Sequence, residues 1–167
     1  MVNIASIIDH TLLKPTATYK DFKLLCEQAV TSGFYSVCVP PFIVESCKKA
    51  LTGTDIKVCT VIGFPLGYNN YLSKIIETKQ SIKNGADEID AVINISALKS
   101  KDFKYVEKEI ALLRKVTSNK ILKIIVETAY LNEDEKEKIA KIILNNGVDF
   151  LKTSTGFAPH GATVEDI

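Results

Sequence analysis

The chain has 167 residues, of which 46% are hydrophobic and 25% are charged, and its formal net charge at pH 7 is +1. Such a composition is typical of a soluble globular protein, and the length predicts one domain, residues 1–167, with a sizeable core. A net charge this close to zero gives no electrostatic basis for binding nucleic acid or an anionic membrane.

Sequence features that would indicate a membrane, a secretion signal or a metal are missing. No apolar run is long enough for a transmembrane helix, and the N-terminus lacks the pattern of a signal peptide. The two histidines, His10 and His160, lie in no metal-ligand spacing, so no metal site is expected. No C-x-x-C pair occurs, which predicts reduced thiols in a cytoplasmic protein for the four cysteines: Cys26, Cys38, Cys47 and Cys59.

The first half of the chain alternates short strands with amphipathic helices. Thr18 is a candidate N-cap for a helix that ends at Gly33, and a second helix is predicted over about 42–51. Strands are predicted at 9–11, 34–39 and 57–62. The glycine- and proline-containing turn at 63–67 ends the third strand.

The second half repeats this order. Helices are predicted at 72–84, at 103–116 and from Asn132 to Asn146. The first is expected to pack through Ile75, Ile76, Ser81 and Ile82. The second is expected to pack through Val106, Ile110 and Leu113. The strands between and after them are predicted at 88–94, at 121–128 and at 148–152. Residues 161–167 are predicted to start a further helix with Thr163 as its N-cap.

This order indicates an α/β fold. Alternation of strand and helix excludes all-β folds and helix bundles, and continuous apolar strands are typical of parallel strands buried on both faces. The strand spacing is close to the roughly 30 residues per unit of a (β/α)8 barrel. From the pattern alone, a doubly wound open sheet remains an alternative.

One lysine stands out because it lies in an apolar strand. Lys152 follows Phe150 and Leu151 and precedes a run of three hydroxyl residues and Gly156. If its side chain faces the interior, burial lowers the pKa of the amine, and a neutral amine can form a Schiff base with a carbonyl. The alternative is a strand-end lysine whose ammonium group reaches water.

Other polar residues fall in or at the ends of the strands. Asp90 lies inside an apolar strand, where a carboxylate is costly to bury unless it is paired, so it is either catalytic or holds a loop. Asp9 and Glu127 orient substrate hydroxyls or catalytic groups, or else form structural salt bridges. Cys38 is an inward-facing thiol that contacts substrate or serves as a small core residue.

Six segments together resemble deoxyribose-phosphate aldolases, which are class I, Schiff-base aldolases. They are spread over the chain in the family's order: IDHTLLKP at 8–15, SVCV at 36–39, TVIGFPLG at 60–67, EIDAV at 88–92, IVET at 125–128 and FLKTSTGF at 150–157. The resemblance implies a (β/α)8 barrel of which this chain supplies about six units. It also implies reversible cleavage of 2-deoxy-D-ribose 5-phosphate to glyceraldehyde 3-phosphate and acetaldehyde, in deoxyribonucleotide catabolism.

The resemblance also implies roles for particular residues. Lys152 would be the nucleophile and Asp90 the proton donor and acceptor, whereas Thr155 and Gly156 would contact the substrate and its phosphate, beside Asp9, Cys38 and Glu127. The resemblance implies a small sugar phosphate as the partner and a reaction without metal or cofactor. Neither nucleic acid nor membrane is expected from the charge, and the open edges of six strands predict that this cytoplasmic protein is a homo-oligomer.

A second active-site lysine and the last phosphate-binding strand of the family would follow Ile167, so the chain is expected to be truncated and a poor aldolase by itself. Lys123 is the only cation near the nucleophile that strand alternation could direct inward, although its place early in its strand disfavours it as a substitute. Two alternatives remain: another Schiff-base aldolase, for example one acting on a keto acid, and a non-catalytic remnant that serves as a binding or assembly module.

Overall fold

Strands and helices alternate along residues 3–166, which are the part of the chain that the computed structural model describes. Ile167, the last residue of the helix start predicted at 161–167, lies outside these residues, as do Met1 and Val2. The strands are β1 (Asp9–Thr11), β2 (Ser36–Val39), β3 (Lys57–Ile62), β4 (Glu88–Val92), β5 (Ile121–Ile125) and β6 (Phe150–Lys152). The α-helices are α1 (Tyr19–Ser32), α2 (Val44–Ala50), α3 (Tyr71–Lys83), α4 (Ile95–Lys99), α5 (Phe103–Val116) and α6 (Glu133–Asn145).

Single 3₁₀ turns complete the structure at Ile4–Ile7, Pro41–Ile43, Thr128–Tyr130 and Val164–Asp166. Within residues 3–166, none of the helices combines the length and apolar character needed to span a bilayer. The strands follow one another in the sheet in chain order, β1 to β6. This order, with an α-helix after each of β1 to β5, is that of six strands of a (β/α)8 barrel and not of a doubly wound sheet, whose strand order reverses.

The chain divides into two compact units. The first contains the residues up to Val61 together with Lys79–Glu88. Its strands pair in parallel, with Asp9 opposite Ser36 and Cys38 opposite Cys59. The predicted N-cap of α1 is confirmed, because the Thr18 side chain accepts from the backbone N–H of Asp21 in a capping box.

The second unit contains Ile62–Thr78 and the residues from Ile89 onward. Parallel pairing of β5 with β6 places Lys123 opposite Phe150 and Ile125 opposite Lys152. Helix α5 buries the predicted residues, which are Val106, Ile110 and Leu113. The prediction of a single domain over 1–167 stays a prediction.

Two strands end earlier than predicted, each for a local reason. Strand β4 ends at Val92 because the Asn94 side chain accepts from the N–H of Ala97 and begins α4, a helix that the periodicity did not predict. Strand β5 ends at Ile125, and Glu127 adopts a left-handed backbone conformation (φ +56°).

The prediction for α3 was wrong at Ile76, whose side chain is 68% exposed. The helix instead buries a polar stripe at positions four and three residues apart: Lys74, Thr78 and Ser81. Hydroxyl groups can be buried in a helix when they bond to it, and Thr78 Oγ1 donates to the Lys74 carbonyl at 2.8 Å. Ser81 was among the residues predicted to pack and is confirmed, whereas Lys74 and Thr78 are buried without having been predicted.

Burial on both faces holds for the central strands but not for β6. Every residue of β2 and β4 is buried, whereas Phe150 and Leu151 are 54% and 41% exposed. The expectation of a fully buried strand around Lys152 was therefore wrong. In the described residues that follow it, up to Asp166, a 3₁₀ turn at Val164–Asp166 forms where a helix capped by Thr163 was predicted.

Candidate active site

Three charged side chains of the second unit meet at the strands β4, β5 and β6. Asp90, in the middle of β4, is fully buried. The Lys152 amine donates to its Oδ2 at 2.5 Å, and the Lys123 amine lies 3.1 Å from its Oδ1. Both oxygens of the buried carboxylate thus face a cation, which offsets the cost of removing it from water.

The register of β5 and β6 explains why both lysines reach the same carboxylate. Lys152 is opposite Ile125, and Lys123 lies two residues before Ile125 on the neighbouring strand. Residues two apart on a strand point to the same face of a sheet. The side chains of Lys123 and Lys152 therefore project from the same face of the sheet, two residue positions apart along the strand direction.

The accessibility of the two lysines differs. The Lys152 side chain is 32% exposed, whereas that of Lys123 is 9% exposed. A nucleophile must be reached by its substrate, and Lys152 is the one of the two that solvent reaches. Lys123 is placed to hold the carboxylate from its buried side.

Lys123 is the residue that the sequence analysis undervalued. It interrupts an apolar strand just as Lys152 does, and that signal was present in the sequence. Its place early in β5 argued against it, but its amine lies 3.1 Å from Asp90 Oδ1. This contact joins residues on two different strands, so the sequence of β5 alone does not reveal it.

The backbone after Lys152 is held by the corner that follows β5. The N–H groups of Val126 and Thr128 donate to the carbonyls of Lys152 and Thr153 at 3.0 and 2.9 Å. The buried Glu127 carboxylate accepts from the N–H of Thr155, at 3.2 Å to one oxygen, and from the Thr155 hydroxyl. Gly156 follows with φ +82°, a conformation that a glycine adopts without strain.

A cavity of about 290 Å³ lies beside this corner. Glu127, Ser96 and Thr155 contribute its polar lining, and the remainder is aromatic or aliphatic, including Tyr130 and Phe157. The Phe157 ring contacts that of Phe64 edge-on, at 5.3 Å between centroids, which places the turn after β3 against the turn after β6.

The other predicted site residues, Asp9 and Cys38, belong to the first unit. Asp9 Oδ1 accepts from the Ser36 hydroxyl at 2.7 Å, across the β1–β2 pair. Cys38 is fully buried on β2 and carries a free thiol. Their substrate-binding roles stay predictions.

Strands that follow one another in chain order in one sheet and alternate with helices are the arrangement of the (β/α)8-barrel enzymes. The family model described as DeoC/LacD family aldolase matches residues 4–167. The chain therefore belongs to the DeoC/LacD family of aldolases, which are carbon–carbon lyases. The family resemblance found in the sequence is confirmed.

Curated relatives extend this finding. The chain is 50% identical over 167 residues to the deoxyribose-phosphate aldolase of Clostridioides difficile, covering 100% of the chain and 76% of the relative. It is 52% identical over 160 residues to the deoxyribose-phosphate aldolase of Ureaplasma parvum, covering 96% of the chain and 74% of that relative. The chain thus spans about three quarters of the length of these relatives.

Solved structures agree on the fold. An aldolase called QR15 has a TM-score of 0.94 at 40% identity, covering 99% of the chain and 74% of that structure. The tetrameric deoxyribose phosphate aldolase of Aeropyrum pernix has a TM-score of 0.84 at 29% identity, covering 92% of the chain and 65% of that structure.

Proposed function

We propose that the chain carries the catalytic lysine of a deoxyribose-phosphate aldolase, with Lys152 as the nucleophile and Asp90 as its proton carrier. The observation that carries the proposal is the 2.5 Å contact between the Lys152 amine and Asp90 Oδ2. A carboxylate at this distance can accept the proton that the amine loses before it attacks a carbonyl.

The proposed reaction begins at the aldehyde carbon of open-chain 2-deoxyribose 5-phosphate. The Lys152 amine adds to this carbon, and loss of water gives an iminium ion. A base removes the proton of the C3 hydroxyl, the C2–C3 bond breaks, and its electron pair passes to the iminium. Glyceraldehyde 3-phosphate leaves, and an enamine remains on Lys152.

The second half of the cycle returns the enzyme to its starting state. The enamine carbon takes a proton, delivered by Asp90 through water, which restores an iminium ion. Water then hydrolyses this ion, so that acetaldehyde leaves and the Lys152 amine is free again. The fully buried Asp90, held by Lys123 on its other side, stays in reach of the same amine throughout.

A keto-acid aldolase is a weaker candidate because its substrate carboxylate calls for an arginine. The chain has one arginine, Arg114. Its guanidinium group donates to Asp149 Oδ2 at 2.6 Å and to the carbonyls of Thr117 and Lys120. This side chain is therefore engaged in structure.

A cytoplasmic homo-oligomer is part of the same proposal. It is supported by the four cysteines, none of which forms a disulfide, as expected in a reducing compartment, and by the tetrameric state of the Aeropyrum pernix protein. Cell fractionation of the natural host tests the location.

Borohydride trapping tests the function. The protein is incubated with acetaldehyde or the sugar phosphate, reduced, digested and mapped by mass spectrometry. With acetaldehyde we expect an ethyl group on Lys152, and Lys152→Met should abolish both the label and sugar cleavage. Lys57→Met, at an exposed lysine of β3, is the matched control and should retain both. A label on Lys123 alone would overturn the assignment, and no label at all would favour the non-catalytic alternative.

A further inference from the structure

Glu127 combines two unfavourable features. Its backbone is left-handed, with φ +56° and ψ +70°, a conformation that strains any residue with a Cβ atom. It is also a carboxylate with only 2% of its surface exposed. Lys101 is the other non-glycine residue with a positive φ in the described part of the chain, and Lys101 is exposed.

The contacts of the carboxylate account for both features. Its two oxygens lie 3.3 and 3.2 Å from the Thr155 nitrogen, and Oε2 also accepts from the Thr155 hydroxyl. The left-handed turn directs the side chain from the end of β5 to the loop after β6, where these donors are. The Thr155 hydroxyl in turn accepts from the N–H of Phe157 at 3.1 Å.

These bonds continue the backbone pairing that follows the nucleophile. Val126 and Thr128, on either side of Glu127, bond to the carbonyls of Lys152 and Thr153. The side chain of Glu127 extends this attachment to Thr155, where backbone pairing has ended. Residues 152–155 are thereby fixed by three successive residues, 126–128.

We propose that Glu127 is a positioning residue, which holds the loop after β6 through Thr155 so that the Lys152 amine stays in contact with Asp90. The inference rests on the proposed function, because it assigns Lys152 the role of nucleophile. It differs from a substrate-binding role, in which the carboxylate would contact the sugar hydroxyls directly.

Glu127→Gly separates positioning from backbone strain. Glycine adopts φ +56° without strain, so folding should not suffer from the backbone, but the contacts with Thr155 are lost. We expect kcat to fall by about 10- to 100-fold with KM nearly unchanged, because small displacements of a reacting group slow the chemical step. Glu127→Gln, which keeps one acceptor oxygen, should lose less. Lys101→Gly, at the exposed left-handed residue, is the matched control and should leave both constants unchanged.

Amide hydrogen exchange supplies a readout that is independent of activity. Glu127→Gly should raise exchange at Thr155 and Phe157, while exchange in α5 stays as in the unsubstituted protein. A rise in KM alone would show that Glu127 binds substrate and overturn the inference, as would unchanged kcat and exchange. If the unsubstituted protein forms no adduct on Lys152, the proposed function fails, and exchange still shows whether Glu127 holds the loop.

Discussion

Asp90 faces two cations although it has no exposed surface. A buried carboxylate needs such partners, so the contact with Lys123 explains how the strand tolerates it. The contact with the more exposed Lys152 is the one that proton transfer requires. One aspartate therefore serves both the fold and the proposed reaction, and substitutions must separate the two roles.

Asp90→Asn keeps the shape of the side chain and removes its charge. We expect turnover to fall by about 10²–10⁴-fold, the usual cost of losing a general acid–base group. The free energy of unfolding should fall by about 3 kcal/mol, because the nearly buried Lys123 loses this anionic contact. Sugar cleavage assays and denaturant unfolding measure the two effects.

The double variant Asp90→Asn, Lys123→Met is the control for stability. It removes the cation together with the anion, so most of the lost free energy of unfolding should return while turnover stays low. If Asp90→Asn alone retained full turnover, Asp90 would have only a structural role.

At the scale of elements, the polar stripe of α3 ties together three parts of the second unit. The Lys74 amine donates to Glu109 Oε1 on α5 and to the carbonyl of Val92 at the end of β4, each at 2.7 Å. Glu109 Oε2 accepts from the N–H of Asn94 at 2.9 Å. The ion pair therefore bonds the backbone on both sides of the exit of β4, the strand that carries Asp90.

Burial disfavours the charged forms of both Lys74 and Glu109. Desolvation lowers the pKa of Lys74 and raises that of Glu109, and the attraction between the two groups offsets part of each shift. A buried ion pair often contributes little net stability compared with apolar residues, but removing one partner is costly. The hypothesis is that this pair is kept because it fixes the arrangement of α3, α5 and the end of β4.

Lys74→Met should lower the free energy of unfolding by about 3–5 kcal/mol, because the Glu109 carboxylate remains buried without this partner. The double variant Lys74→Met, Glu109→Leu should regain about 2 kcal/mol, although Val92 and Asn94 still lose a bond each. Denaturant unfolding of the single and double variants gives both values.

The exposed pair of Lys49 and Glu45, with 75% and 59% of the side chains exposed, provides the comparison. Lys49→Met should cost less than about 0.5 kcal/mol, as exposed helical pairs do. If Lys74→Met cost no more than Lys49→Met, the buried pair would not hold the end of β4.

For the molecule as a whole, local sequence patterns predicted the order of the helices and strands. They did not predict how the strands pair or which residues far apart in the sequence come into contact. Thr18 and the alternation of β/α units were recognisable because caps and periods are local. Asn94 carried a similar cap signal that was overlooked, and α4 was missed with it. Lys123 meets Asp90, which lies on another strand, and Lys74 meets a partner 35 residues away, so neither contact is visible in a local pattern.

Exposed apolar side chains on β6 and α6 bear on whether copies of the protein associate. Phe150 and Leu151 on β6 and Leu144 on α6 are 54%, 41% and 78% exposed. An exposed strand with apolar side chains is prone to pair with another chain. The net charge of +1 provides little repulsion between copies. Self-association through this surface is therefore expected.

Leu151→Lys should weaken this association, because lysine on an outer strand opposes pairing between chains. In size-exclusion chromatography with light scattering, the mass of the unsubstituted protein should rise with concentration, and that of Leu151→Lys should stay closer to a monomer. Leu72→Lys, at a leucine of α3 that is 58% exposed, is the matched control and should behave like the unsubstituted protein. A monomeric mass for the unsubstituted protein at every concentration would contradict the prediction. An oligomer weakened by Leu72→Lys but not by Leu151→Lys would place the interface on α3 instead of β6.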